Sequence, residues 1–371
     1  MKRVLSIFFV ICLLLCACTK APAEQTTEQT QGTTANVTTE QTTEVATSGP
    51  TQETTAPNTT EDTTPIDLKY QNPLTGEPLA ELYTARPFAV MINNSSYAQP
   101  MCSLNSADIV FEILAEGGIT RCMAVFGDVA GLDHIGAIRS ARPYYVRLAY
   151  SLDAIFVHHG GSDAGIAEAK ALGLDRLDFL GNAGEVYYRD QDRLNSGYDL
   201  EHTSFADGDD MLERVEELEF ETARENGIDY GFVFADAGST TDGESVTDFK
   251  VVFGGWSKTT GFAYDESTGK YAASQYGDDI VDGNTDEIVS YRNVLMITAE
   301  THTNDDSTLV IDLLGEGDGF FACDGKIVPI NWSRSAEGKP FVFTHEDGTP
   351  ITFGVGNTYI AVTPLNGVLE Y

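Results

Sequence analysis

Short apolar runs alternate with polar segments in the first part of the chain beyond residue 66. The apolar runs predict strands, at residues 88–93, 108–114, 121–126 and 154–158. The run at 108–114 also fits a short helix, because periodicity alone does not distinguish a short strand from a short helix. Helical spacing occurs at residues 140–152, 164–172 and 209–218, and Ser140 is placed to cap the first of these helices. This alternation predicts an α/β (α+β) domain over residues 67–238.

The pattern changes at about residue 246, where short apolar stretches are separated by turn sequences such as Asp324-Gly. Helical periodicity is nearly absent from there on. We therefore predict a β-rich domain over residues 246–371, joined to the first domain through the polar segment 237–245. Its predicted strands lie at 246–253, 261–264, 271–274, 294–299, 309–314, 319–323, 326–332, 340–344, 350–353 and 358–364.

The N-terminus predicts a secreted protein with a lipid anchor. Two basic residues precede an apolar run of about a dozen residues, which is shorter than the ~20 that cross a bilayer as a helix. The run ends in Ala17-Cys18, a small residue followed by cysteine, as in a lipobox. We interpret residues 1–18 as a lipoprotein signal peptide, with Cys18 receiving acyl chains such as palmitate. Cys16 follows Leu15 and fits less well, and an uncleaved membrane helix is the alternative.

Residues 19–66 are rich in Thr, Gln, Glu, Ala and Pro and nearly lack large apolar side chains. Such a segment does not bury enough surface to offset the entropy lost on ordering, so we expect a disordered stalk. The stalk and the lipobox together favour the outer face of the cell membrane of a Gram-positive bacterium. Contact with the bilayer is then expected through Cys18 only.

The charge balance excludes several classes of partner. The chain has 57 Asp and Glu against 22 Lys and Arg, a formal net charge of -35. Most of the acids lie beyond residue 66, so repulsion by phosphates argues against a nucleic-acid partner. The same repulsion argues against docking flat on anionic lipid. An anionic ligand therefore requires a local basic pocket.

The cysteines of the folded region are Cys102, Cys122 and Cys323. Their odd number and the absence of metal-ligand spacing are not typical of a disulfide framework. We favour three buried thiols. A bridge between Cys102 and Cys122 in an oxidising compartment is the alternative.

The densest polar cluster of the folded region lies between residues 112 and 163, and it contains three arginines in a chain poor in bases. Arginine suits bidentate capture of phosphate or carboxylate, and α/β sheets bind ligands at the ends of their strands. We therefore predict an anion-binding cleft. Its candidate residues are Glu112, Glu116, Thr120, Arg121, Arg139, Ser140, Arg142, His158 and Asp163. In the alternative interpretation, the arginines form ion pairs with Glu112, Glu116 and Asp163 that hold loops together.

Metal binding and catalysis have less support in the sequence. No His-Glu-x-x-His motif occurs, and the adjacent His158 and His159 on a strand point to opposite faces, so neither a metal site nor a cofactor is predicted. Ser140 and Ser162 lie outside any Gly-x-Ser-x-Gly elbow. No catalytic residue is assigned, and a protein that is not an enzyme is favoured.

Several stretches carry a family resemblance. They are Asn72-Pro-Leu-Thr-Gly, Arg86-Pro-Phe-Ala-Val-Met-Ile-Asn-Asn, the segment 107–121, Ile135-Gly-Ala-Ile-Arg-Ser-Ala-Arg142 and the segment 153–162, with Tyr291-Arg-Asn-Val-Leu and Thr358-Tyr-Ile-Ala-Val in the second half. Together they resemble the YerB-like lipoprotein family of bacteria, which pairs an N- and a C-terminal domain of unknown function. The resemblance covers residues 70–371 and implies a lipoprotein of the cell envelope without an established activity.

The first half also has a more distant likeness to the LytR-CpsA-Psr glycopolymer transferases, in which arginines hold a pyrophosphate and an aspartate holds magnesium. The likeness rests on the order of Thr120-Arg121, the loop 138–142 and the segment 153–161. Here no aspartate follows Arg121 or Arg139, which weakens the analogy.

The expected function is therefore that of an envelope protein that binds a cell-wall component or an envelope protein through the arginine cleft. One alternative is a transferase that uses the same cleft. Another is a scaffold whose partner binds the β-rich domain.

Overall fold

A computed structural model describes residues 69–255, 258–305 and 308–371. The predicted signal peptide with Cys18 and the predicted stalk lie outside the described residues. None of the helices in the described ranges is long and apolar enough to cross a membrane.

The first half, residues 69–238, combines short strands with four helices. Its strands are β1 (Tyr70–Gln71), β2 (Pro78–Leu79), β3 (Phe88–Asn93), β4 (Ile109–Leu114), β5 (Thr120–Phe126), β6 (Ile135–Gly136), β7 (Ile155–His158), β8 (Arg176–Asp178), β9 (Tyr187–Arg189), β10 (Ser204–Ala206) and β11 (Phe234–Ala235). Its helices are α1 (Pro143–Ser151), α2 (Asp163–Ala171), α3 (Gln191–Asn195) and α4 (Gly208–Glu217). Four 3-10 turns lie at Ser96–Ala98, Leu104–Ser106, Glu116–Gly118 and Leu200–His202.

The second half consists of strands and turns in the part that the structure describes. The strands are β12 (Glu244–Ser245), β13 (Asp248–Val252), β14 (Thr259–Asp265), β15 (Lys270–Gln275), β16 (Asp278–Asp279), β17 (Ser290–Tyr291), β18 (Asn293–Ala299), β19 (Thr301–Thr303), β20 (Leu309–Ile311), β21 (Gly315–Cys323), β22 (Lys326–Arg334), β23 (Val342–His345), β24 (Phe353–Gly354), β25 (Thr358–Pro364) and β26 (Val368–Glu370). A mixed first half followed by a mainly β second half confirms the predicted fold class.

The predicted cap of the first helix is wrong. Helix α1 begins at Pro143, with Arg142 as its N-cap residue. Proline is favoured at this position because its fixed φ suits a helix and its missing N–H would have no intrahelical partner. Ser140 instead lies in the preceding loop, where its carbonyl accepts a hydrogen bond from Arg121 at 2.8 Å.

One large sheet includes strands from both halves. Its order is β12-β22-β21-β18-β25-β4-β5-β3-β7-β8, and β23 pairs with β22 to make eleven strands. The central strands β3, β4 and β5 are buried along their whole length. This explains why they are continuous apolar runs rather than alternating ones, since strands covered on both faces have no solvent side.

Strand β25 joins the two halves. It pairs in parallel with β18 of the second half on one side and with β4 of the first half on the other. In the second pairing Ala361 lies opposite Glu112, and Val362 lies opposite Ile113. The last long strand of the chain is therefore an interior strand of the sheet, with hydrogen-bonded neighbours on both sides.

A second sheet covers this junction. It has the order β16-β15-β14-β13-β26, with β17 paired to β15. Phe262 of β14 packs edge-on against Tyr359 of β25, with ring centroids 4.9 Å apart. Tyr291 of β17 contacts the same Tyr359 ring at 5.1 Å. The core of the second half thus continues directly onto the strand that contacts the first half.

A buried arginine adds a polar connection between the halves. Arg334 at the end of β22 is 1% exposed, and its Nη2 donates to the carbonyl of Arg147 in α1 at 2.9 Å. Its Nε donates to the carbonyl of Lys339 at 2.9 Å. Hydrogen bonds to carbonyls satisfy this buried guanidinium, whose unpaired burial would be costly.

Truncating the joining strand is expected to destabilise both halves together. Ile360 in β25 is fully buried, so Ile360→Ala should lower the free energy of unfolding by about 2–5 kcal/mol. In hydrogen-exchange measurements, the backbone amides of β4 and β18 should lose protection together. Val368→Ala on β26, where the side chain is 47% exposed, is the control and should change little. Loss of protection in β18 with β4 unchanged would contradict a shared sheet.

Candidate functional site

The arginines predicted to form a cleft come from three parts of the first half. Arg121 lies in β5, Arg142 precedes α1, and Arg139 lies in the loop between β6 and α1. The loop is held against β3, since the Arg139 amide donates to the carbonyl of Met91 at 2.8 Å. The three guanidinium groups are close enough that Arg142 and Arg139 both lower the pKa of Arg121.

Arg142 is paired with one of the predicted acids. Its Nε donates to both carboxylate oxygens of Glu116, at 2.8 and 2.9 Å. Burial raises the pKa of Glu116, but the hydrogen bond from Arg142 and the charges of Arg142 and Arg121 lower it further, so the net shift is downward. The predicted ion pair with Glu116 is therefore present for this one arginine.

Arg121 is buried without an acidic partner. Its side chain is 5% exposed, and it forms no ion pair with the residues that the structure describes. Nη1 donates to the Ser140 carbonyl at 2.8 Å, while Nε is buried without an acceptor. Burial, followed by the charges of Arg142 and Arg139, lowers the pKa of Arg121 to about 10. A nearby anion would relieve this repulsion.

Beside this group lies a cleft of about 260 Å³. It is lined by Ile138, Arg139, Ser140, His159, Arg189, Leu200, Glu201 and Ser204. Arg139 is held across it by Glu201, with 2.9 Å between Nη1 and Oε2, although the Glu201 side chain is 54% exposed. An ion pair whose carboxylate is this exposed contributes little, and water or a ligand can readily replace the carboxylate. Nε of Arg139 is buried without an acceptor.

Arg189 of β9 is a second arginine in the cleft. Nη1 donates to the carbonyl of Leu200 at 2.6 Å, and Nη2 lies 3.3 Å from Nε2 of His159. Like Arg121, it forms no ion pair within the described ranges. The cleft thus contains two guanidinium groups and one exposed carboxylate, a positive local balance in an acidic chain.

His159 is neutral in this environment. Because a guanidinium only donates, Nε2 of His159 accepts from Arg189, and Nδ1 therefore carries the proton and donates to Ser204 Oγ at 2.8 Å. Burial and the charge of Arg189 lower the pKa of His159 to about 4. Both ring nitrogens are occupied, so the imidazole orients Arg189 and Ser204.

Two predicted residues lie in a different place. Glu112 and Thr120 are completely buried, and Thr120 Oγ1 donates to Glu112 Oε1 at 2.5 Å. The Glu112 carboxylate is paired with Lys258 of the second half, with 3.2 Å between Nζ and Oε1. Asn94 and Thr260 donate to the same carboxylate at 2.8 and 2.7 Å. These contacts satisfy a buried charge and connect the halves, and they do not bring Glu112 to the cleft.

Two further candidates also lie outside the cleft lining. His158 is fully buried, and its Nδ1 lies 2.7 Å from the carbonyl of Gly160. His158 ends β7, and its ring centroid lies 5.0 Å from that of Phe156, whereas His159 follows the strand and contacts Ser204 and Arg189. Asp163 is exposed at the first position of α2. The proposed ion pairs of the arginines with Glu112 and Asp163 do not occur among the described residues.

The cysteines of the described residues, Cys102, Cys122 and Cys323, are free thiols, and all three are buried. Burial raises the pKa of Cys102 and of Cys323 to about 11 in each case, so neither is an activated nucleophile. The alternative of a bridge between Cys102 and Cys122 is wrong.

Comparison with known protein families also divides the chain into two parts. The family described as "Protein of unknown function (DUF3048) N-terminal domain" matches residues 74–221, and the corresponding C-terminal domain matches residues 249–360. The chain belongs to the DUF3048 family.

Relatives extend this result. The chain is 30% identical over 300 residues to a Bacillus subtilis protein named "Putative lipoprotein YerB", and the match covers 80% of this chain and 87% of the relative. The crystal structure of the YerB protein from Bacillus subtilis superposes with a TM-score of 0.70 at 27% identity, and the match covers 82% of this chain and 100% of that one. The predicted YerB-like family is confirmed.

Sequence reasoning missed part of this cleft. Arg189, Glu201 and His159 line it, but none was a predicted site residue. The scarcity of bases could have drawn attention to Arg189, which ends a run with Tyr187 and Tyr188. Its distance from Arg139 along the chain gave no indication that the two lie together.

The lowered pKa of His159 predicts a contribution to acid sensitivity. Between about pH 6.5, the ordinary pKa of histidine, and about pH 4, the unfolded chain binds a proton that the folded chain excludes. Stability therefore falls as pH decreases through this window. We expect His159→Gln to lose less stability than the wild type over this range, measured by urea unfolding at each pH.

The matched control is His302→Gln, at an exposed histidine of β19. It should follow the wild-type pH profile. An unchanged profile for His159→Gln would show that the imidazole is already protonated or that its environment is solvent-like.

Proposed function

We propose that this protein is a lipid-anchored envelope protein that binds an anionic cell-wall component in the arginine cleft. The observation that carries the proposal is that Arg121 and Arg189 form no ion pair within the described residues, although the chain has a net charge of -35. Where acids are abundant, arginines readily find carboxylate partners. Two that remain unpaired beside a cleft support a site for an external anion.

The geometry favours phosphate or carboxylate. Arg139 and Arg189 border the cleft, and a guanidinium matches the planar spacing of two oxygen atoms in either group. Displacing the Glu201 carboxylate from Arg139 would cost little, because the Glu201 side chain is 54% exposed and water can replace Arg139 as its partner. The negative charge of the ligand would then take the place of the Glu201 carboxylate beside Arg139.

Binding is favoured over catalysis by the state of His159. Its two ring nitrogens are engaged by Ser204 and Arg189, so neither is available to take a proton from a substrate. Its pKa of about 4 makes it a poor base at neutral pH. The imidazole therefore serves as a support for Arg189.

Anchoring through Cys18 would hold this cleft outside the cell. The support is the lipobox at Ala17-Cys18 and the similarity to a relative whose name calls it a lipoprotein. The Thr-rich residues 19–66 would separate the folded part from the membrane and leave the cleft free for the wall. The outer face of a Gram-positive membrane fits these features.

Removing either cleft arginine is expected to weaken anion binding. Arg139→Ala and Arg189→Ala should each reduce affinity at least about tenfold, as expected for loss of a charge-assisted hydrogen bond. Isothermal titration calorimetry with a short poly(glycerol phosphate) tests whether the ligand is a phosphate. The same measurement with a short poly-glutamate tests whether it is a carboxylate. Affinity for the preferred anion should fall as salt increases.

The matched control is Arg214→Ala, where an arginine of α4 pairs with Glu217 outside the cleft. It should bind as the wild type does. Equal binding by all three variants would refute the cleft as the site. Turnover of a lipid-linked pyrophosphate that requires a divalent ion would instead support the transferase alternative. Capture of a protein partner by the full chain that the Arg139→Ala and Arg189→Ala variants retain would support the scaffold.

The anchor has its own test. Cys18→Ala should move the chain from the membrane fraction to the soluble or secreted fraction, because no acylated sulfur remains. Cys16→Ala is the matched control and should stay membrane-bound. Mass spectrometry of the mature N-terminus should find lipid on Cys18, and a chain of Cys18→Ala that stays in the membrane would contradict the proposed cleavage.

A further inference from the structure

A second cavity, of about 320 Å³, is formed by residues of both halves. Its lining includes Gln99 and Pro100 from the first half and Gln275, Tyr276, Asp278 and Asp279 from the second. It shares no lining residue with the arginine cleft. The size is near the lower end of the range of about 300–1,000 Å³ that is usual for small-molecule sites.

Gln275 supplies an acceptor without a partner. The residue is 6% exposed, and its Nε2 lies 3.3 and 3.4 Å from the two Glu112 oxygens and 3.0 Å from Thr260 Oγ1. The Glu112 carboxylate, paired with Lys258, accepts hydrogen bonds, which fixes the orientation of the amide. Oε1 of Gln275 is then left buried, with no hydrogen-bond partner among the described residues.

Gln99 supplies the complementary donor. Its Nε2 is buried and also has no acceptor within the described ranges. Buried polar groups are nearly always paired. The two residues that carry this unpaired acceptor and this unpaired donor line one cavity, which points to a partner bound there. That partner must both donate and accept.

Tyr276 places an aromatic ring at the cavity. It lies in the hairpin turn between β15 and β16 with φ of 58°, a conformation that is rare for a bulky side chain. Its hydroxyl donates to the carbonyl of Asn94 at 3.0 Å, and the Lys258 ammonium lies 4.5 Å from the ring centroid. The ring is thereby held in place while the side chain stays 50% exposed.

The charges at the rim exclude an anion. Asp278 and Asp279 are exposed carboxylates, and no basic residue lines the cavity. Lys258 contacts Tyr276, but its charge is balanced by Glu112 at 3.2 Å. A phosphate or carboxylate ligand would be repelled here, in contrast to the arginine cleft.

We propose that this cavity binds a neutral N-acetylated sugar. An acetamido group offers one N–H for Gln275 Oε1 and one carbonyl for Gln99 Nε2. Sugar hydroxyls donate well to carboxylates such as Asp278 and Asp279, and the apolar face of a sugar ring stacks on an aromatic side chain such as Tyr276. A single amide group has the same donor and acceptor but lacks the hydroxyls and the apolar ring face that would engage the two aspartates and Tyr276.

Titration of the purified full chain with N,N′-diacetylchitobiose, followed by calorimetry or ligand-observed NMR, tests the proposal. Binding is expected for the wild type and should be at least about tenfold weaker for Tyr276→Asn, which removes the stacking ring. Asparagine is chosen because Asn-Gly is the preferred sequence for such a hairpin turn, so the fold should be retained. An unchanged melting midpoint verifies this.

Two controls make the outcome decisive. Tyr70→Ala removes a tyrosine that is 42% exposed and does not line the cavity, and it should bind as the wild type does. Cellobiose, which lacks acetamido groups, should bind at least about tenfold more weakly than chitobiose. No chitobiose binding, equal binding to Tyr276→Asn, or tighter binding of an N-acetylated dialanine amide would overturn the assignment.

Discussion

The pairing of β25 with both β18 and β4 is the constraint on which the rest of the structure depends. It places the last long strand of the chain in the middle of an eleven-stranded sheet, so that neither half completes its core alone. The pairing also places Glu112 opposite Ala361, beneath the second sheet. A carboxylate at this depth requires partners, and Lys258 and Thr260 of the second half supply them.

This buried network organises the cavity proposed to bind a sugar. The side-chain amide of Gln275 donates hydrogen bonds to Glu112 and Thr260, and this orientation leaves its oxygen without a partner. Lys258, held by Glu112, lies against the ring of Tyr276. The polar contacts that join the halves therefore also prepare an acceptor and an aromatic face, and the ligand would stabilise the association of the halves by binding across it.

The arginine cleft depends on side chains from the opposite face of strand β5. Thr120 and Arg121 are neighbours in β5, and their side chains point to opposite faces of the sheet. Thr120 enters the Glu112 network, while Arg121 reaches the loop that carries Arg139 and Ser140. One strand thus contributes to the junction on one face and to a positive site on the other. In a chain of net charge -35, such a local reversal of sign would direct an anion to one place.

The sequence by itself determined the fold class and most strands and helices, because these follow from local periodicity. The scarcity of bases also led to the prediction of Arg139 as a site residue. Only the tertiary structure decided that Glu112 belongs to the junction and that Arg189 belongs to the cleft. Strand pairing between distant segments decides which face of each strand is covered, and no local pattern encodes that pairing.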